Sequence, residues 1–399
     1  MKKIKNKHDL AINGAPPAFE QSLHVGKPNI GSREKFLQHV NAIFDRKWFS
    51  NHGPEVQAFE KRLSQHLDVK HCIAMCNGTV ALEIAIRALG LTGEVIVPSY
   101  TFVATAHALQ WQEITPVFAD IDPKTHTLDP ESVRSLITPK TTGIIGVHLW
   151  GRPCDVASLQ QLADEYGLQL MFDAAHAFSC SHQGEMIANF GRCEVFSFHA
   201  TKFFNTFEGG MIATNDDELA QQIRLMQNFG FAGNDNVIYP GTNGKMNELS
   251  AAMGLTGLDS LDSFLSTNKQ NYLNYKKGIE QISGLSIIEY DEAEQNNFQY
   301  IVVETEDAFP IKRDRLVDIL QAENILARKY FWPGCHKMEP YRSLYPHAGL
   351  LLPETRRVAE RVIVLPTGTA IDKKSINFIV ELLAKLSEVS FAENINLAS

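Results

Sequence analysis

From residue 55 onward the chain alternates two hydrophobic patterns. Val56, Phe59, Leu63 and Leu67 fall at helical spacing and predict a helix over 55–67. Short, continuously apolar runs at 71–76, 94–98, 115–120 and 142–149 predict buried strands. Helical patterns over 79–89, 102–110, 130–137 and 156–166 lie between them. Two more apolar runs, 168–172 and 194–198, follow, and a glycine pair, Gly209-Gly210, opens another. Strands alternating with helices of this length imply an α/β fold, a largely parallel sheet covered on both faces. Residues 1–54 read as an irregular arm, a helix near 33–44 and the turn Ser50-Asn51-His52-Gly53-Pro54. Past residue 257 the pattern becomes α+β: a long helix over 258–282, strands at 285–290 and 299–305, and helices over 312–323, 355–361 and 374–386. The expected organisation is a large domain over 1–257, including the arm, and a small α+β domain over 258–399.

The net charge of −9 is spread along the 399 residues without a basic block, which argues against a nucleic-acid footprint. Lys2, Lys3, Lys5 and Lys7 make a basic start that no apolar segment follows, unlike a signal peptide. No apolar run approaches the length of a membrane span, so a soluble, cytoplasmic protein is expected. The six cysteines are scattered, and Cys72 and Cys76 are spaced too widely for a zinc knuckle. Buried free thiols are the better reading, and the fourteen histidines show no metal-ligand spacing.

In a strand-rich α/β fold, functional side chains gather at the carboxyl ends of strands. Asn77, Ser99, Asp120, His148 and Asp173 all fall at such ends, which suggests one shared site. Asp173 closes an apolar run, where a carboxylate is costly unless it meets a cation. Lys202 follows the run 194–198 in Ser197-Phe198-His199-Ala200-Thr201-Lys202. A lysine there is desolvated, which disfavours the ammonium and frees an amine nucleophile. Such an amine can bond a carbonyl, and pyridoxal phosphate is the cofactor most often held that way; its pyridinium nitrogen is the cation that an aspartate would pair with. Each residue alone reads equally well as a helix cap or a chance lysine; the two together favour the cofactor.

Asn77-Gly78-Thr79 joins a strand to a helix, and the helix amino terminus would offer amide donors to a phosphate. A strand–glycine–helix turn is often only a turn. It carries neither the Gly-Lys-Ser/Thr ending of a Walker A loop nor a G-x-G-x-x-G fingerprint. Phe102, just after a strand end, could stack on a planar ring or serve as a core residue on a helix's first turn. Arg328, Lys329 and Tyr330 could reach a diphosphate or be surface charges.

Several segments resemble, in order and over most of the chain, the DegT/DnrJ/EryC1/StrS family of nucleotide-sugar aminotransferases, of pyridoxal-phosphate fold type I. They include Asn77-Gly78-Thr79, Val95-Ile96-Val97-Pro98-Ser99-Tyr100-Thr101-Phe102, Val147-His148-Leu149-Trp150-Gly151 and Asp173-Ala174-Ala175-His176-Ala177. Ser50-Asn51-His52-Gly53-Pro54, Asp120-Ile121-Asp122-Pro123, Ser197-Phe198-His199-Ala200-Thr201-Lys202, Glu208-Gly209-Gly210, Gly241-Thr242-Asn243-Gly244-Lys245-Met246-Asn247-Glu248-Leu249 and Leu365-Pro366 complete the match. The resemblance implies that Lys202 carries the cofactor and shuttles protons, Asp173 holds the ring nitrogen, and His176 lies near the ring hydroxyl. It implies that Phe102 stacks on the ring, that Gly78, Thr79 and Ser197 bind the phosphate, and that Asn243 reaches it from the neighbouring subunit of a homodimer. Around Asn243 the family more often has an aromatic residue and an arginine, where this chain has Thr242, Gly244 and Lys245.

The aromatic run Lys202-Phe203-Phe204-Asn205-Thr206-Phe207 is similar to the branch that makes dTDP-4-amino-4,6-dideoxy-D-glucose, as in O-antigen biosynthesis. By resemblance, L-glutamate would supply the amine and the 4-keto group of a nucleotide-linked 6-deoxysugar would receive it. Amination at carbon 3, or of a UDP- or GDP-linked sugar, is the alternative. A dehydratase of the same fold would have histidine in place of Lys202, and a regulatory homologue would not need the set Asp173, His176, Lys202 and Asn243.

Overall fold

The computed structural model describes residues 2–388 and Phe391. Met1 and residues 389–390 and 392–399, the last part of the expected small domain, lie outside the described residues.

Seven strands form the main sheet. In spatial order they are His71–Met75, Gly210–Thr214, Glu194–Ser197, Gln169–Asp173, Thr141–Val147, Glu94–Pro98 and Thr115–Ala119. The Gly210–Thr214 strand runs antiparallel to both neighbours, and every other pairing is parallel. Val147 pairs with Asp173 and Asp173 with Val195, so the strand ending in Asp173 is flanked on both sides. These strands are buried almost throughout, as strands covered on both faces must be.

The helix Pro54–Leu67 begins with proline at its first position and buries Val56, Phe59, Leu63 and Leu67 on one face. Each such side chain contributes about 1.5–3 kcal/mol of burial. Its amino terminus is closed from far along the chain. The Glu248 carboxylate, wholly buried, accepts from the amides of Glu55 and Val56, each at 3.0 Å.

The expected long helix over 258–282 is Leu261–Ile279, and a separate helix that the pattern did not predict, Glu248–Leu258, precedes it. Glu248–Leu258 is buried nearly all round, while Leu261–Ile279 carries a single buried stripe, so the chain must change direction between them. The break falls at Asp259 and Ser260, where Asp259 is held by Lys35 and Arg62. The expected helix over 102–110 begins only at Ala104, which leaves Phe102 in the preceding loop.

A second sheet joins Leu285–Ile287, Ile301–Thr305 and Val362–Leu365, all antiparallel. Its core includes Tyr275, Ile301, Val303, Leu316 and Leu383. Leu10 of the amino-terminal arm joins that core, and Leu23–His24 pairs with Ile325–Leu326. Five cysteines are buried, Cys76 is partly exposed, and none is disulfide-bonded. No helix among the described residues is long and apolar enough to cross a membrane.

Candidate active site

A cleft of about 620 Å³ opens at the carboxyl ends of the central strands. Gly78, Thr79, Phe102, Asp173, His176, Ser197 and Lys202 all line it.

Asp173, the last residue of its strand, is almost fully buried. One carboxylate oxygen, Oδ2, accepts from the Thr105 hydroxyl at 2.8 Å, and Oδ1 accepts from the Ala175 amide at 3.1 Å. Burial pushes this carboxyl above the usual aspartate range; the two donors and the Lys202 charge pull it back only in part. Both hydrogen-bond donors are neutral, so the carboxylate has room for a cation.

Lys202 lies in a loop folded back on itself: its amide donates to the His199 carbonyl at 2.9 Å, and the Thr206 amide to Phe198 at 2.9 Å. Its Nζ is 3.4 Å from the Tyr300 hydroxyl. Burial lowers the amine to about 8, against the opposing pull of the Asp173 carboxylate. About a tenth of it is therefore free amine at neutral pH, far more than for an ordinary lysine.

His176 is neutral. Burial and, after it, the Lys202 charge hold its imidazole well below its ordinary value. Its Nδ1 accepts from the Trp150 amide at 3.3 Å, and its ring centroid lies 4.5 Å from that of Tyr300.

At the other end of the cleft the helix Gly78–Ala88 begins. The Asn77 side chain caps it by accepting from the Val80 amide at 2.8 Å, which leaves the amides of Gly78 and Thr79 without helical partners. A Cβ on Gly78 would stand 3.0 Å from the Ser197 Cβ, so only glycine brings backbone and hydroxyl this close. These amides, with the Thr79 and Ser197 hydroxyls, make an anion seat. Phe102 is 59% exposed, a large apolar ring left open on the cleft wall.

These features fit pyridoxal phosphate: an amine for its carbonyl, a buried carboxylate lacking a cation, an open ring for stacking and an anion seat. Asn243 is not in this group. It is exposed outside the cleft and bridges to Asn228.

Three of the five strand-end residues do other work. Ser99 accepts from the His336 amide at 3.0 Å and lies 2.7 Å from its Nδ1. Asp120 caps the helix Pro353–Arg361 through the amides of Glu354 and Thr355, at 2.9 and 2.7 Å. His148 is buried, accepting from the Cys154 amide at 3.0 Å with its Nε2 3.4 Å from Glu194. Strand ends must anchor crossing segments as well as build a site. The Ser99 contact pins the segment just after Tyr330 and Phe331, which line the cleft, whereas Asp120 anchors a helix that does not line it.

Sequence reasoning missed Thr105, Tyr300 and Phe331. Thr105 offered one signal: it lies a single turn beyond Phe102. The other two reach the cleft only through tertiary packing.

Residues 31–384 match the profile of the DegT/DnrJ/EryC1/StrS aminotransferase family. A dTDP-4-amino-4,6-dideoxy-D-glucose transaminase of Shigella dysenteriae is 37% identical over 368 residues, 92% of this chain and 100% of its own length. Its counterpart from Escherichia coli is 35% identical over 91% of this chain and 98% of its own. Among solved structures, DesI, crystallised in the presence of its TDP-sugar product, superposes with a TM-score of 0.93 at 45% identity, covering 98% of this chain and 100% of that one.

Proposed function

The chain belongs to the DegT/DnrJ/EryC1/StrS aminotransferase family, and from that premise we propose that it aminates carbon 4 of dTDP-4-keto-6-deoxy-D-glucose, with L-glutamate as donor. The observation that carries the reading is the pairing, in one cleft, of a lysine amine lowered to about 8 with a buried carboxylate that has no cationic hydrogen-bond partner. The named relatives and the DesI structure support the sugar and its dTDP carrier.

Pyridoxal phosphate, when bound, supplies the carbonyl that takes up the amine and a ring that accepts the electron pair of the reacting carbon. Lys202 would hold it and then, once freed, move the proton at the donor's Cα and at carbon 4 of the sugar. Asp173 would keep the ring nitrogen protonated and so stabilise negative charge developing at the reacting carbon. His176, neutral and fixed by the Trp150 amide, would face the ring hydroxyl. Phe102 would stack on the ring, and Gly78, Thr79 and Ser197 would take the phosphate.

Asn243 of the partner subunit would complete the phosphate seat in a homodimer. Its exposed position away from its own cleft supports a role across an interface. The chain would divide near residue 257 into a cofactor-binding domain and a smaller domain, and act in the cytoplasm on O-antigen or related polysaccharide precursors.

A panel of dTDP-, UDP- and GDP-linked 3- and 4-keto sugars, each offered with glutamate and the purified holoenzyme, tests the reading. The dTDP 4-keto-6-deoxy-D-glucose should be aminated fastest, with carbon 4 identified by NMR of the product. A faster reaction at carbon 3, or on another nucleotide, would overturn it.

A further inference from the structure

Tyr330 lines the cleft and also two recesses beside it, of about 290 and 390 Å³. Its ring stacks on Phe331 at 4.9 Å and 7°, and Phe331 stacks on the buried Trp150 at 5.4 Å and 15°. Trp150 in turn faces His176 at 5.9 Å. A rigid aromatic column therefore runs outward from the floor of the site. At its outer end the guanidinium carbon of Arg328 lies 5.0 Å from the Tyr330 ring centroid.

Arg328 lines both recesses but not the cleft itself. Its backbone is fixed by hydrogen bonds to Val364 in both directions, at 3.0 and 2.8 Å. Among the described residues, no carboxylate lies within ion-pair distance of its side chain and no hydrogen bond occupies it. Lys329 differs: it pairs with Asp314 at 3.2 Å and lies over Trp332 at 5.0 Å. Of the two neighbouring cations, one is committed and the other is free, held by a stacking contact that leaves its donor edge open.

We propose that Arg328 anchors the diphosphate of the nucleotide-linked substrate, its guanidinium presented by the Trp150–Phe331–Tyr330 column. The inference rests on the nucleotide-sugar reading above. A planar guanidinium matches phosphate oxygens through two parallel hydrogen bonds. Its place outside the cofactor cleft also separates the two substrates. Arg328 does not line the cleft, so an amino-acid donor reacting there would not need it. A sugar whose carbon 4 reacts there carries its diphosphate outward from carbon 1, toward the recesses.

The test is calorimetric titration of the holoenzyme, wild type, Arg328→Gln and Arg328→Lys, with TDP, UDP and GDP. The glutamate half-reaction, followed by cofactor absorbance, serves as the check on folding and chemistry. Arg328→Gln should weaken diphosphate binding about tenfold or more, and Arg328→Lys, which keeps the charge but loses the fork, by less. The glutamate half-reaction should be unchanged in both. Wild-type affinity in Arg328→Gln would overturn the proposal, as would a wild type that binds none of the three, or a half-reaction that slows as much as binding weakens. If diphosphate binding depends on Arg328 and yet no nucleotide-linked keto sugar accepts an amine, the anchor stands and the acceptor reading falls.

Discussion

Thr105 donates its hydroxyl hydrogen bond to Asp173 Oδ2 at 2.8 Å, from the start of the helix that follows Phe102. The bond favours the ionised carboxylate at a position where burial disfavours it. Losing it leaves burial less opposed, so the Asp173 carboxyl rises further. Thr105→Val keeps the shape and removes the donor. Turnover should fall about tenfold, with the acid limb of the rate profile displaced to higher pH. A profile superimposable on wild type would remove Thr105 from the tuning of Asp173.

Lys202→Ala should lower turnover by at least about a thousandfold, because it would remove both the proposed covalent anchor and the proposed base. Steady-state assay of the purified, cofactor-loaded variant checks this. Retained activity within tenfold of wild type would sink the assignment.

The depressed lysine also fixes a pH dependence. Its pKa is about 8, below the ordinary lysine value, so the free amine grows as pH rises toward 8 and levels off above it. Reconstitution of apoprotein with pyridoxal phosphate should therefore speed up about tenfold per pH unit below that value and then reach a plateau. Absorbance of the bound cofactor reports the rate. A climb continuing to pH 10 would mean an ordinary, solvated lysine.

Glu248 offers a prediction about stability alone. Its buried carboxylate holds the first amides of the Pro54–Leu67 helix, with Arg46 3.6 Å away. Glu248→Ala strands two buried amides, at a cost of about 2–4 kcal/mol. Thermal unfolding should show a clear loss of stability. A midpoint unchanged within a degree would mean that water replaces the carboxylate.

Lys202 and Asp173 are legible in sequence because each sets a charge against the end of an apolar run, a mismatch that packing alone does not explain. Gly78 is legible because a strand, a glycine and a helix leave amides unpaired. Thr105 is not, since its role depends on where its helix crosses the Gln169–Asp173 strand. Tyr300 and Phe331 reach the cleft from the second sheet and the stretch beyond it, through contacts that no local pattern encodes. Ser99 and Asp120 misled for the converse reason. They stand at strand ends as site residues do, but their hydrogen bonds hold crossing segments, Ser99 the one at His336 and Asp120 the helix Pro353–Arg361.

The position of Asn243 leads to the last prediction. It stands exposed and outside the cleft that gathers the other seven candidates, so if it binds phosphate it does so in a second copy of the chain. Asn243→Ala alone should weaken cofactor binding about tenfold, one charge-assisted hydrogen bond to phosphate being lost. Lys202→Ala protein would be inactive for a different reason. When the two variants are unfolded, mixed in equal amounts and refolded, random pairing makes half of the dimers hybrid. In each hybrid, one site takes its lysine from one subunit and its asparagine from the other, and both are intact. Roughly a quarter of all sites should then bind cofactor as wild type does and turn over at the wild-type rate. At cofactor concentrations too low to fill the Asn243→Ala sites, activity should appear only after mixing. A mixture no more active than the Asn243→Ala protein it contains would mean that Asn243 serves its own subunit or none.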